Sequence, residues 1–240
     1  MSDSIVIIPT YNEIENIEAI IRAVFSLEKS FDILVVDDNS PDLTNLKVKE
    51  LQKEFTNLNL EVRTEKAGLG TAYIHGFKWC LNHNYEYIFE MDADFSHNPK
   101  DLIKLYNACH IDGADMSIGS RYIKGVNVVN WPLSRVLLSY VASIYVRVIT
   151  GMKIKDTTAG FICYKRKVLE SMDLDKIKFI GYAFQIEMKF RTFINKFKIV
   201  EIPVIFTDRT RGESKLSKGI ISEAVFGVIK MKINSIFRKH

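Results

Sequence analysis

Phe31-Asp32-Ile33-Leu34-Val35-Val36-Asp37-Asp38 is a largely apolar run of strand length that stops abruptly in two carboxylates. From Ile33 to Val36 no polar residue alternates with the apolar ones, which marks a strand covered on both faces. The same pattern recurs on either side. Residues 4–9 form a short β-branched run, residues 58–62 a third strand, residues 85–91 a fourth that again ends in acids, and residues 114–120 a fifth. Between them apolar residues fall at helical spacing: Ile14, Ile17, Ile21 and Val24, then Leu43, Leu46 and Leu51, then residues 71–82. Pro99 suits the first turn of a further helix running to about Ile111. This alternation predicts an α/β fold, a mostly parallel sheet flanked by helices. In such sheets ligands bind beyond the carboxyl ends of the strands, and every acidic motif here lies at such an end.

The second half is less regular. Residues 134–149 read as a helix with a polar stripe at Arg135, Ser139, Ser143 and Arg147, and with Leu137, Val141, Ile144 and Val148 opposite. Residues 184–196 read as a helix and 198–206 as a strand. Residues 208–215 form a polar, basic loop, and 218–237 a final helix whose apolar face is interrupted by Glu223, Lys230 and Lys232. No apolar run reaches the roughly 18 residues of a membrane span; the longest candidate, residues 136–146, is flanked by Arg135 and Arg147.

With 240 residues, 47% hydrophobic and 26% charged, the chain suits one globular core. Cys80, Cys109 and Cys163 are far apart and form no C-x-x-C pair, which argues against a disulfide framework or zinc site. Together with an N-terminus that enters a strand directly, this predicts a cytoplasmic protein without a signal peptide. The net charge of +4 is uneven: from Arg209 onward eight Lys and Arg face two Glu. Such a tail suits an anionic partner. Nucleic acid is disfavoured, because the aromatics sit within apolar runs and two acidic strand ends would repel a polyanion.

Asp92-Ala93-Asp94 is the sharpest chemical feature. Two carboxylates at i and i+2 on a strand end share one side and suit a hard cation, Mg²⁺ or Mn²⁺, that bridges a diphosphate; an acidic turn capping the next helix is the alternative. A carboxylate of the Asp37-Asp38 pair suits hydrogen bonds from a ribose or base, with a simple polar turn as the alternative. Tyr11 suits the wall of a base pocket, and Glu13 the opening turn of a helix. Gly68-Leu69-Gly70 lacks the third glycine of a dinucleotide fingerprint, and no P-loop motif occurs. Arg209, Arg211 and Lys215 surround Gly212 in a loop suited to phosphate. His75, His83, His97 and His110 show no metal spacing.

Taken together, these motifs resemble the polyprenyl-phosphate (dolichyl-phosphate) mannosyltransferases, inverting glycosyltransferases of the Rossmann-like GT-A fold. The resemblance rests on residues 8–13, 36–42 and 68–72, on 91–94 and 119–122, and on 181–188 with 208–215. It implies that Pro9, Tyr11, Glu13, Val36 and Asp38 contact the nucleoside. It further implies that Asp92, Ala93 and Asp94 meet the diphosphate and its metal, with Asp92 and Asp94 as ligands. Arg121, Arg209 and Lys215 are implied to bind phosphates of donor or acceptor and, with Asp94, to form the catalytic set; Arg135 and Arg211 are weaker candidates for the acceptor phosphate. The implied reaction transfers mannose from GDP-mannose to a polyprenyl phosphate with inversion, using Mg²⁺ or Mn²⁺. Transfer of glucose or N-acetylglucosamine to a lipid phosphate or polysaccharide is the alternative. Ser96 stands where some members place a further ligand, Gln; Leu43 stands where Gly is usual. The expected organisation is a catalytic domain over residues 1–215 and a basic, apolar helix over 216–240. That helix and residues 136–149 are expected to be amphipathic and to lie on the inner face of the cell membrane.

Overall fold

The computed structural model describes residues 2–181, 183–208 and the helix Lys218–Phe237, the last with side chains over 225–235. The first half alternates as its sequence pattern predicts: β1 (Ser4–Thr10), α1 (Ile17–Phe25), β2 (Asp32–Asp37), α2 (Thr44–Leu51), β3 (Leu58–Val62), α3 (Leu69–Leu81), β4 (Tyr87–Glu90), α4 (Asp101–His110) and β5 (Met116–Ser120). The second half adds β6 (Val128–Val129), α5 (Leu133–Thr150), β7 (Ile162–Lys165), α6 (Arg166–Glu170), a 3-10 turn at Leu174–Lys176, α7 (Ala183–Ile194), β8 (Ile199–Pro203), β9 (Phe206–Thr207) and α8 (Lys218–Phe237).

Seven strands form one sheet in the order β3-β2-β1-β4-β7-β5-β8, and β6 pairs with β9. All pairings are parallel except those of β7, which runs antiparallel between β4 and β5. Alternate residues of the central strands face two cores. Ile5, Ile7, Leu34 and Val36 pack with residues of α3 and α7; Val6, Ile8, Ile33 and Val35 pack with residues of α1 and α4. Gly76 lets α3 lie close on β1, since a Cβ there would come 2.8 Å from Ile7 Cγ2.

Four sequence expectations need correction. The strand before the acidic triplet ends at Glu90, so Asp92 and Asp94 lie in the following turn and strand alternation does not aim them. Pro99 and Glu13 each precede their helices, which begin at Asp101 and Ile17. The strand expected over 198–206 divides, because after Pro203 the chain leaves the sheet and Phe206 pairs with β6. β7 itself is only four residues with no apolar alternation to announce it.

α5 is turned opposite to an ordinary amphipathic helix. Ser143, Val146 and Thr150 face the protein and are buried, whereas Leu133, Leu137, Tyr140, Val141, Ile144 and Val148 point to solvent, Val148 at 75% exposure. By length and composition the helix over Leu133–Thr150 is long and apolar enough to cross a membrane, which corrects the expectation that no apolar stretch reaches that length: the helix runs on past Arg135 and Arg147, the two charges read as bounding it. α8 packs against α5 and α7: the Tyr145 hydroxyl donates to the Val225 carbonyl at 2.9 Å and the Lys232 ammonium to the Thr150 carbonyl at 3.2 Å. Val225, Phe226, Ile229 and Ile233 of α8 are exposed as well.

Leu43 occupies the left-handed region (φ 68°) just before α2, with 59% of its surface exposed. For a residue with a Cβ this conformation costs about 1–2 kcal/mol, whereas glycine adds about 0.5–1 kcal/mol of backbone entropy to be lost on folding. Leu43→Gly should therefore stabilise the protein by roughly 0.5–1 kcal/mol. Urea unfolding should show a higher midpoint at unchanged slope; a lower midpoint would contradict the strain.

Candidate active site

The loops after β1, β2, β4 and β6 meet at the carboxyl edge of the sheet. Five of the six non-glycine residues with positive φ among the described residues lie there: Asn12, Asn39, Leu43, Phe95 and Asn130. The two acids after β2 do different work. Asp37 is fully buried and organises the turn, accepting from the Thr10 hydroxyl (2.7 Å), the Ser40 main-chain N–H (2.9 Å) and hydroxyl (2.6 Å), and Asn45 Nδ2 (3.2 Å). Asp38 receives Arg63, with Nε and NH2 each 2.6 Å from Oδ1. Arg63 also donates to Thr71 Oγ1 at 2.8 Å, whose hydroxyl donates to the Gly68 carbonyl at 2.7 Å. The Lys66 ammonium stands 4.2 Å from the centre of the Tyr11 ring. Tyr11, Glu13, Pro9 and Asp38 thus come together at one end of the sheet. The Val36 side chain does not join them: it is fully buried in the core, so only its main chain is near this pocket.

Neither Arg63 nor Lys66 stands out in the sequence. The parallel register supplies the missing signal: Asp37 pairs with Val62, which sets Arg63 beside Asp38.

The turn after β4 is built on a buried polar pair. Glu90 is fully buried; it accepts from the Tyr164 hydroxyl (3.0 Å) and from the Gln185 amide of α7. Burial pushes its carboxyl up, opposed by Gln185, Lys189 and Tyr164. Two residues on, the Asp92 main-chain N–H donates to His97 Nδ1 at 3.1 Å. The His97 ring lies buried and stacked on Phe161, centroids 4.7 Å apart. Burial pulls its pKa down to about 4, so the imidazole is neutral at working pH and serves as an acceptor that shapes the turn. Asp94 Oδ1 accepts the Ser96 N–H at 3.0 Å. Ala93 is buried between the two acids, and the Asp92 side chain is 38% exposed.

Across from this turn stands a cluster of cations and rings. Arg121, just after β5, is held by the fully buried Asp156: Nε to Oδ2 at 2.7 Å and NH2 to Oδ1 at 2.6 Å. Burial pushes the Asp156 carboxyl up, but the adjacent guanidinium outweighs this and holds it below the usual range. The Arg121 guanidinium carbon lies 5.3 Å from the Tyr122 and Trp131 ring centres and 5.6 Å from Phe206. Arg135 stacks on Trp131 at 4.0 Å and pairs with Asp208 at 2.7 Å. The ribbon of β6 and β9 joins the two halves: the Thr207 N–H donates to the Ser96 carbonyl (3.4 Å) and the Asp208 N–H to the Val129 carbonyl (3.0 Å). Arg209, Arg211 and Lys215 lie outside the described residues.

Among the described residues no three His, Cys, Asp or Glu side chains converge as a complete metal cage. Asp92 and Asp94, two carboxylates on one turn, are instead of the chemistry that could hold a Mg²⁺ or Mn²⁺ ion whose remaining oxygens would come from water and a diphosphate, the usual way Mg²⁺ is held.

The chain matches Glycosyl transferase family 2 over residues 5–173. It is 46% identical to a polyprenol monophosphomannose synthase from Mycolicibacterium smegmatis, covering 96% of this chain and 87% of that protein. It is 44% identical to an undecaprenyl-phosphate mannosyltransferase from Micrococcus luteus, covering 93% and 91%. Among solved structures, it resembles a mannosyltransferase from Pyrobaculum calidifontis in complex with GDP-Man and Mn²⁺ (TM-score 0.57, 16% identity, 98% of this chain and 74% of that one). It also resembles a glucosyl-3-phosphoglycerate synthase from Mycobacterium tuberculosis in complex with Mn²⁺ and UDP-Glc (TM-score 0.69, 14% identity, 99% and 81%). With its mostly parallel sheet flanked by helices, as in the GT-A fold, the chain is a glycosyltransferase that belongs to family 2, in the polyprenyl-phosphate mannosyltransferase group.

Proposed function

We propose that this enzyme transfers mannose from GDP-mannose to a polyprenyl phosphate, with inversion, at the cytoplasmic surface of a membrane. The observation that carries it is the position of α5. Arg135, a cation suited to a phosphate, lies in the first turn of a helix whose apolar side points outward. A headgroup phosphate and a hydrocarbon chain would thus be received side by side. The names and activities of the 46% and 44% identical relatives support the same substrate class.

In this reading Pro9, Tyr11, Glu13, Asp38 and the Val36 main chain hold the nucleoside, and Arg63 presets the Asp38 carboxylate. Asp92 and Asp94 would hold a divalent ion together with the diphosphate. That ion, when bound, neutralises charge as the nucleoside diphosphate leaves. Arg121, Arg209 and Lys215, with Arg135 and Arg211 as weaker candidates, hold the two anionic reactants together against their repulsion. A phosphate monoester with a second pKa of about 6 is largely dianionic at neutral pH. Its oxygen can attack the anomeric carbon without a protein base, in keeping with a buried, neutral His97. A single displacement inverts that carbon.

The donor is tested by incubating the protein with undecaprenyl phosphate and GDP-mannose, UDP-glucose or UDP-N-acetylglucosamine, and by calorimetry with GDP and UDP. Turnover with GDP-mannose and tighter binding of GDP are expected; preference for a uridine donor would move the function to the alternative sugar. Asp94→Asn, or excess chelator with wild type, should lower turnover by at least about 100-fold, the scale of losing one preorganised electrostatic contact to developing charge. Full activity in chelator would remove the metal from the mechanism.

α5 is read as lying on the bilayer rather than spanning it, because Ser143, Val146 and Thr150 are covered by the protein. Sedimentation with anionic vesicles should pull the protein down, less so in high salt. The double variant Leu137→Glu, Val148→Glu should bind about tenfold more weakly, with an unchanged unfolding temperature. Equal recovery in the supernatant with and without vesicles would contradict this placement.

A further inference from the structure

The Arg121–Asp156 pair is hard to explain as a device for stability. Arg121 is 7% exposed and Asp156 fully buried. Taking two charges out of water costs several kcal/mol per ion, and apolar residues of similar volume often serve stability as well or better. What the pair secures is geometry. One carboxylate accepts three hydrogen bonds from Arg121: Nε at 2.7 Å, NH2 at 2.6 Å and the main-chain N–H at 2.9 Å. Thr158 Oγ1 receives NH2 at 2.8 Å, and the rings of Tyr122, Trp131 and Phe206 surround the guanidinium.

The loop that carries Asp156 is held from two sides. The Glu201 carboxylate of β8 accepts the main-chain N–H groups of Lys155 (2.8 Å) and Asp156 (2.9 Å). From α7, the fully buried Lys189 ammonium donates to the Ala159 carbonyl at 2.5 Å. A lysine with no exposed surface, spent on a main-chain carbonyl, fixes the loop rather than meeting solvent or substrate. An arginine side chain has many rotamers to lose on ordering; one already fixed by its surroundings need not lose them when the reactants arrive.

We infer that Asp156 is a positioning residue: from a loop pinned by Glu201 and Lys189, it sets the orientation in which Arg121 meets the reactant phosphates. This rests on the proposed role of Arg121 and goes beyond it by naming what aims it. The rival is that Asp156 only neutralises a buried cation.

The test is a double-mutant cycle with GDP-mannose and undecaprenyl phosphate, using Asp156→Asn, Arg121→Gln and the pair, with unfolding temperatures measured alongside. Asp156→Asn should lower kcat by about 10–100-fold, since a misplacement of about 1 Å can cost that much, while the donor KM changes by less than about threefold. In the Arg121→Gln background the same substitution should change kcat by less than about threefold, because the group it aims is gone. An equal fold loss in both backgrounds, or an unchanged kcat for Asp156→Asn, overturns the inference. If Asp156→Asn does not fold, Thr158→Val repeats the cycle at matched volume: a severalfold loss in wild type that vanishes with Arg121→Gln is expected, and equal losses overturn it. Full turnover by Arg121→Gln overturns the role of Arg121 and the inference with it. A donor-independent arm uses the ¹⁵N–¹H signal of the Arg121 Nε–H group. Protection from exchange in wild type that Asp156→Asn loses is expected; an unprotected signal in wild type overturns the inference even if the donor proves to be another sugar.

Discussion

The reversed strand β7 holds the two halves of the site in one frame. Its main-chain ladder pairs Ile162 with Glu90 of β4 on one side and with Ile118 of β5 on the other. The acidic turn begins two residues beyond Glu90, and Arg121 lies three beyond Ile118. A single residue of β7 therefore registers the carboxylates against the guanidinium. Because β7 runs against its neighbours, the loop before it lies at the carboxyl edge of the parallel strands, and Asp156 reaches Arg121 from there. A parallel strand in the same place would carry that loop to the opposite edge.

Around this frame the protein tolerates buried charge to an unusual extent. Glu90, Asp156, Glu187 and Lys189 are each at most 3% exposed, and Arg121 is little more so. Each is paired or hydrogen-bonded, as burial requires. The contacts run between elements: α7 to β4 through Gln185 and Glu90, α7 to the Asp156 loop through Lys189, and β8 to the same loop through Glu201. Within α7 and the segment before it, Glu187 accepts the main-chain N–H groups of Lys178 and Phe179 and pairs with Arg191. Directional contacts of this kind specify position more sharply than apolar packing does, and they converge on the two sides of the site.

α5 applies the same economy at the surface. Its small and polar side is covered by the protein, and its larger apolar side faces outward beside exposed apolar residues of α8. Exposed apolar side chains grouped along one helix face suit contact with another apolar surface. This face begins at Leu133, between Trp131 and Arg135 in the chain, so the Arg135 cation and the apolar face share one helix.

Much of the architecture was legible in the chain alone. Apolar runs of strand length, separated by helical periodicity, determined the α/β fold, the strands β1 to β5 and the place of Asp38, Asp92 and Asp94 on the loops that follow β2 and β4. Those are local properties: periodicity follows from backbone geometry, and a polar residue at a strand end needs no distant partner. The polar stripe of α5 was legible too, but not the side it faces, because a helix has the same pattern whichever way it is docked. Only the tertiary structure decided that β7 is reversed, that Asp37 builds the turn while Asp38 takes Arg63, and that Asp156, 35 residues away along the chain, accepts the hydrogen bonds of Arg121. These depend on strand order and register, set by the whole sheet's ladder and core, which no single stretch of sequence encodes.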